Sequence, residues 1–401
     1  MKKDPASKLR KVMNPSLGKT QTKQLGNWLV KAVLLVLILS ATACGQQRQT
    51  ESRSQPNSAA AADSQKRLVL ESATINQPNQ QGQTQWKVNA KRAVYSPDQK
   101  TAQLEDITGN LYQDGKVVLQ VDAKRGTVKK DGKEIVLRDQ FVATDPRNGA
   151  TIRGENVVWR PQQDLLLVRQ NFTGSHPKLT ASANQGKYDT SKQRLELIGQ
   201  VEATAQDPSL HMKTEHLFWK IQQGLVISDH TTHIDRYKGE TITDSAVADH
   251  AQVNLNTQIA QLNQNVELKS LDPLLQIATE SATWNPEAQT VVSDKPVRIV
   301  NSEEKVTATA NQGQVNLDTK VAHLTGGVQG ISKRNQAQLF ANKLFWKIPS
   351  PRMQAKGNVI YRQADPPLNT TGTQAKGNLA NENIVVRGGD SDERVVTEIV
   401  P

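Results

Sequence analysis

The stretch Ala183–Val201, ANQGKYDTSKQRLELIGQV, decides how this chain folds. It runs from a small residue, Ala183, through four variable positions to a large one, Tyr188. A polar turn follows, Asp189-Thr190-Ser191-Lys192, and then an apolar alternation through Leu195 and Leu197. Upstream, Leu179, Ala181 and Ala183 alternate in the same way. Apolar residues at every second position on both sides of turn residues predict a strand, a tight turn and a strand, with one face apolar and one polar.

The same unit recurs along the chain. It reads AKRAVY at Ala90–Tyr95, AKRGTV at Ala123–Val128, GENVVW at Gly154–Trp159 and TEHLFW at Thr214–Trp219. It continues as ADHAQV at Ala248–Val253, TESATW at Thr279–Trp284, ANQGQV at Ala310–Val315 and ANKLFW at Ala341–Trp346, with a weaker copy, AKGNLA, at Ala375–Ala380. The closing residues of these ten copies are 29 to 34 positions apart. A fixed period of that size marks a stacked repeat in which each unit buries its apolar face on its neighbours. Eight or nine residues after each closing residue stands a second apolar landmark: Leu104, Leu137, Val168, Leu197, Ile227, Leu262, Val292 and Leu324.

Ten two-strand units cannot lie in one flat sheet without exposing the apolar face. The expected fold is therefore all-β, a long narrow sandwich or β-jellyroll whose two layers enclose a slot roughly 50 Å long at about 4.8 Å per strand step. The landmarks are expected to line the slot. Trp159, Trp219, Trp284 and Trp346 close alternate units and form a row, either touching a ligand in the slot or acting as core spacers, the latter being preferred.

The 401 residues carry 50 Lys/Arg against 39 Asp/Glu, a formal charge of +11. Residues 1–43 supply +7 of it, leaving +4 on the rest, with signs interspersed. That distribution argues against nucleic acid. A basic leader runs into Ala32–Ala43 (AVLLVLILSATA) and stops at Cys44, the only cysteine. This order predicts an export signal, and about twelve apolar residues span a bilayer poorly. Ala41-Thr42-Ala43 before Cys44 resembles a lipoprotein cleavage site, which would acylate Cys44; an uncleaved membrane anchor and an incidental thiol are the alternatives. Residues 44–66 read as a disordered linker, 67–235 and 236–389 as two jellyroll halves, and 390–401 as a tail.

Catalytic signals are absent from the sequence. Gly18-Lys19-Thr20 imitates the end of a phosphate loop, but position 13, where a glycine is required, is Met13. His230-Thr231-Thr232-His233, with Asp229 and Asp235, is the one local cluster of ligand types; on a strand the two histidines face opposite ways, so an ordinary polar loop is expected and no metal. No cofactor is expected and no enzyme.

The tethered N-terminus, the two-strand units and the ANQGKY…LELIGQV motif resemble the LptA/LptC/OstA group of lipopolysaccharide-export proteins, the anchor making LptC the nearest type. The resemblance spans about residues 68–389, with about twice the usual number of units. It implies a non-enzymatic carrier held at the inner membrane of a Gram-negative-type bacterium, facing the periplasm. Such a carrier takes lipopolysaccharide from an inner-membrane ABC transporter complex and passes it to an LptA-like bridge protein. The edge strands expected near Leu68–Thr74 and Asn383–Arg387 would pair with neighbours. An envelope structural or adhesive repeat lipoprotein is the alternative reading of the same units.

Overall fold

A computed structural model describes residues 67–79, 82–129, 132–348, 352–378, 383–388 and 395–398. Contacts divide the chain into Met1–Ala62 and Asp63–Pro401, and all that follows concerns the second unit. The expectations for the leader 1–43, for Cys44 and for the linker 44–66 lie outside the described residues, as does most of the tail 390–401. Among the described residues there is no α-helix, and none is long and apolar enough to cross a membrane. Two single 3-10 turns, Pro161–Gln163 and Ile221–Gln223, interrupt an otherwise continuous antiparallel ladder.

Among the described residues the first nine units are hairpins built to one rule: the closing residue pairs with the residue seven positions later, through Trp346 and Met353 in the ninth. Tyr95 faces Ala102, Val128 faces Ile135, Trp159 faces Leu166 and Tyr188 faces Leu195. Trp219 faces Val226, Val253 faces Ala260, Trp284 faces Val291 and Val315 faces Ala322. Cross-strand partners share a face, so offsets seven and nine point inward and offset eight points outward.

The strands do not run straight. Strand Arg194–Gln206 pairs Ile198 with His216 and then Val201 with Thr214, so Gly199 and Gln200 oppose a single residue on Ser209–Lys220. Both bulged residues have positive φ, 77° and 48°. The same two-residue corner recurs at Gln264-Asn265, Gly326-Gly327 and Gly357-Asn358. Bulges of this kind bend a strand sharply. In Arg194–Gln206 the residues inward of the corner (Leu195, Leu197) and beyond it (Val201, Ala203, Ala205) are all buried. One strand thus serves both layers, and the corners stack into a spine.

The second element of the unit motif explains itself here. The backbone N–H of Asn184 donates to the carbonyl of Gly199 at 2.8 Å, and that of Asn311 to the carbonyl of Gly326 at 2.9 Å. A Cβ on Gly199 would lie 2.7 Å from Asn184 Nδ2, so the Ala-Asn pair and the corner glycine form one packed joint. Strand Thr232–Lys238, which pairs with both Ser209–Lys220 and Thr241–Ala248, contains the position 235/236 expected as a domain boundary, and the ladder passes through it unbroken.

Candidate functional site

The interior between the layers is apolar from Ala73 to Ala375 and forms one connected core. Of the expected lining residues, Leu104, Leu137, Val168, Leu197, Leu262 and Leu324 are buried there. Two are not. Ile227 is half-buried and Val292 is 43% exposed. Both stand eight residues after their closing tryptophan, on the outer face, and Val226 and Val291 take the inner places. The offset-nine residues in those two units are Ser228 and Ser293, whose polarity hides the pattern. Each bonds a threonine from the preceding strand, Thr214 to Ser228 and Thr279 to Ser293, both at 2.8 Å.

Trp159, Trp219, Trp284 and Trp346 are buried, and Trp86 joins them. Trp86 and Trp159 rings lie 6.3 Å apart between centroids. All five indole N–H groups are buried without a hydrogen-bond partner. An unmet buried donor costs about 1–3 kcal/mol, so five of them, four at the same unit position, form an uncommon interior: hydrocarbon walls with idle donors.

The side opposite the spine is a seam where two rows of turns meet. It is closed by side chains. Gln113 Nε2 donates to Asp164 Oδ1 at 3.0 Å, and Asn148 Nδ2 to Gln193 Oε1 at 2.9 Å. Lys178 Nζ reaches Asn256 Oδ1 at 2.6 Å, Gln258 Nε2 the carbonyl of Asp207 at 3.3 Å, and Lys320 Nζ Asp272 Oδ1 at 2.5 Å. Near the middle, Arg147 donates to Asp145 and to the carbonyl of Thr190, while Tyr188 Oη donates to the buried Asp145 carboxylate at 2.6 Å. Burial, and then the bond to Asp145, push the Tyr188 phenol above its ordinary range. Hydrogen bonding to Asp145 raises Arg147 further still.

At Arg147 and Lys178 the seam gapes into a cleft of about 370 Å³, walled by His176, Trp219, Ile221 and Leu255. Burial, aided by Lys178, holds the His176 imidazole below its usual value. Leu255 is also a wall of an apolar cavity of about 20 Å³ among Leu179, Met212, Val226, Ile234 and Val253. That volume holds about one water. In this conformation the slot expected from the sequence is filled by its own side chains, with a polar mouth above its loosest point.

The histidines expected to lie in one loop separate. His230 leaves His233 and joins His216 and Asp229 on the outer surface of a corner. At the two ends of the ladder, Val69–Pro78 pairs only with Thr84–Tyr95, and Asn383–Arg387 only with Leu368–Asn378. Both expected edges are thus free on their outer side among the described residues, with Leu68, Val69, Leu70 and Val385 exposed.

A repeat with this motif and this corner is matched by the profile described as lipopolysaccharide-assembly, LptC-related, over residues 33–166, 163–243 and 231–333. Together these segments cover about three quarters of the chain. The chain belongs to the LptC-related family. Three successive matches in one LptC-related chain agree with the extended repeat. Among solved structures the chain is similar to the crystal structure of LptH from Pseudomonas aeruginosa, described as the LptA homologous periplasmic component of the conserved lipopolysaccharide transport device. That similarity has 12% identity and a TM-score of 0.29 over 32% of this chain and 99% of the other. No curated protein matches the sequence.

Proposed function

We propose that this LptC-related protein is a non-enzymatic carrier that holds the acyl chains of lipopolysaccharide between its two layers and passes them along the ladder. The observation that supports the reading is the asymmetry of the enclosure. The spine is backbone hydrogen bonding, while the seam is side-chain contacts only, so the layers part along the seam and hinge at the corners. Each methylene kept from water is worth about 0.8 kcal/mol, enough for an acyl chain to compensate the opening. Arg147 and Lys178 stand at the mouth, where a phosphorylated head group would remain in water, and the idle indole donors face the ester and amide carbonyls of the chains.

The carrier accepts its load from an inner-membrane ABC transporter complex and hands it to an LptA-like bridge protein. Strands Val69–Pro78 and Asn383–Arg387 supply the free edges for pairing with those neighbours. The N-terminal tether to the inner membrane, facing the periplasm, is either an acylated Cys44 after cleavage of residues 1–43 or the uncleaved segment itself, and the ladder acts as one slot rather than as separate halves 67–235 and 236–389.

Adjacent residues of opposite face give the test. A photo-crosslinking amino acid at Val226 is expected to capture lipopolysaccharide in cells, and the same group at Ile227 is not. Equal capture at both positions, or none at Val226 in a folded protein, overturns the proposal. The filled interior favours a second reading, a structural envelope repeat protein; that reading gains if the purified full chain carries no lipid by mass spectrometry.

A further inference from the structure

Two corners of the spine are built alike. In one, Thr214 bonds Ser228, the Ser228 hydroxyl donates to the carbonyl of His230 at 3.1 Å, and the His230 amide donates back to it at 3.3 Å. In the other, sixty-five residues on, Thr279 bonds Ser293, the Ser293 hydroxyl donates to the carbonyl of Lys295 at 3.1 Å, and the Lys295 amide donates back at 3.1 Å. Both carry an aspartate next, Asp229 and Asp294. The corner itself therefore needs only the threonine, the serine and the turn.

What differs is the surface above it. His216 pairs with Ile198 as Ser281 pairs with Asn263, so His216 and Ser281 are equivalent, as are His230 and Lys295. In the first corner His216 Nδ1 and His230 Nδ1 each lie 2.9 Å from Asp229 Oδ1. One ligand atom from each of the three residues falls within 4.8 Å of the other two. The other nitrogen of His216 faces Glu196 Oε1 at 3.3 Å, and Lys187 lies 3.5 Å from the second oxygen of that carboxylate. The Glu196 contact turns Nδ1 of His216 toward Asp229, the carboxylate–histidine arrangement by which proteins orient a metal-ligating imidazole.

We infer that His216, Asp229 and His230 form a divalent transition-metal site, of which Zn²⁺ is the natural occupant, on the outer face of this one corner. Ligand atoms around tetrahedral zinc stand roughly 3.4 Å apart at bond lengths of about 2.0–2.1 Å. The two contacts of 2.9 Å need to open by about half an ångström, and the two imidazole nitrogens need to come to the same spacing. Asp229 and His230 are each about half exposed, which leaves a fourth position for water. Strand Ser209–Lys220 supplies one ligand and the corner supplies two, so the metal would clip the bend to its neighbour. Metal in the outer corner would leave the interior and the seam untouched, which makes this site separable from lipid carriage.

The test is zinc titration of the chelator-treated full chain in detergent, followed by calorimetry, with the melting temperature as a second readout. The wild type is expected to bind one Zn²⁺ and to melt higher with it. The double variant His216→Ser, His230→Lys installs the residues of the sister corner, so it keeps the fold, and it is expected to lose the site. Glu196→Gln is expected to weaken zinc about 10–100-fold without abolishing it. If the double variant, folded by circular dichroism, binds zinc as the wild type does, or if the wild type takes up none at micromolar metal, the inference fails. Neither result bears on lipid crosslinking at Val226.

Discussion

The spine and the seam close the same interior by different means. At the spine four strands carry through a two-residue bulge, and the amides of Lys124, Asn184, Asp249 and Asn311 bond the corner carbonyls at 2.8–3.0 Å. At the seam, partners 43 to 78 residues apart in sequence meet through lysine, glutamine, asparagine and arginine side chains. A backbone ladder resists opening cooperatively, whereas exposed polar contacts contribute about 0–1 kcal/mol each. The lesson is mechanical: in the proposed carrier, an enclosure hinged on one side and latched on the other would open sideways without unfolding.

Four substitutions probe that contrast. The largest effect belongs to the interior both sides share. Trp284→Ala is expected to cost about 3–5 kcal/mol, read as a lower denaturation midpoint; a cost below about 1 kcal/mol would mean the layers already stand apart. At the spine, Gly199→Ala sets a methyl against Asn184 at positive φ and is expected to cost about 1–3 kcal/mol, also read by denaturation. A neutral result there would remove the distinction between hinge and latch.

At the seam, Tyr188→Phe loses the bond to Asp145 and is expected to cost about 1–2 kcal/mol at neutral pH. The phenol is held protonated in the fold, while in the unfolded chain it ionises near pH 10. Its contribution is therefore complete below about pH 10 and is lost as pH rises beyond it. The melting temperature of the wild type should fall more between pH 9 and pH 11 than that of the variant. The smallest effect is Lys178→Met at the mouth, within about 1 kcal/mol of wild type in stability. Its signature is faster uptake of a fluorescent lipid, and slower uptake would show that the lysine attracts the lipid more than it shuts the seam.

Much of this was legible in the residues. The period, the turns after Tyr95 and Tyr188, and the two free edges follow from alternation and turn chemistry alone. The facing of Ile227 and Val292 did not, because it depends on parity: the eye moves from an inward serine to the nearest aliphatic residue. Holding the offset at nine in every unit would have found Ser228 and Ser293. The corners had a signal too, in Gly199-Gln200, Gly326-Gly327 and Gly357-Asn358, but Gln264-Asn265 performs the same bend without glycine. The latches had none, since the sequence separations across the seam depend on how many residues each bend consumes, and the His216–His230 meeting had none because it depends on the path of the corner.

The constant offset of seven has a consequence for growth. Because every hairpin returns to the same face, whole units can be added or deleted while all others keep their orientation. Excising residues 220–284, for example, would join two tryptophan-closed positions of the same kind. The free edges at both ends of the described ladder set no upper limit, so copy number sets the ladder's reach, as links set the length of a chain.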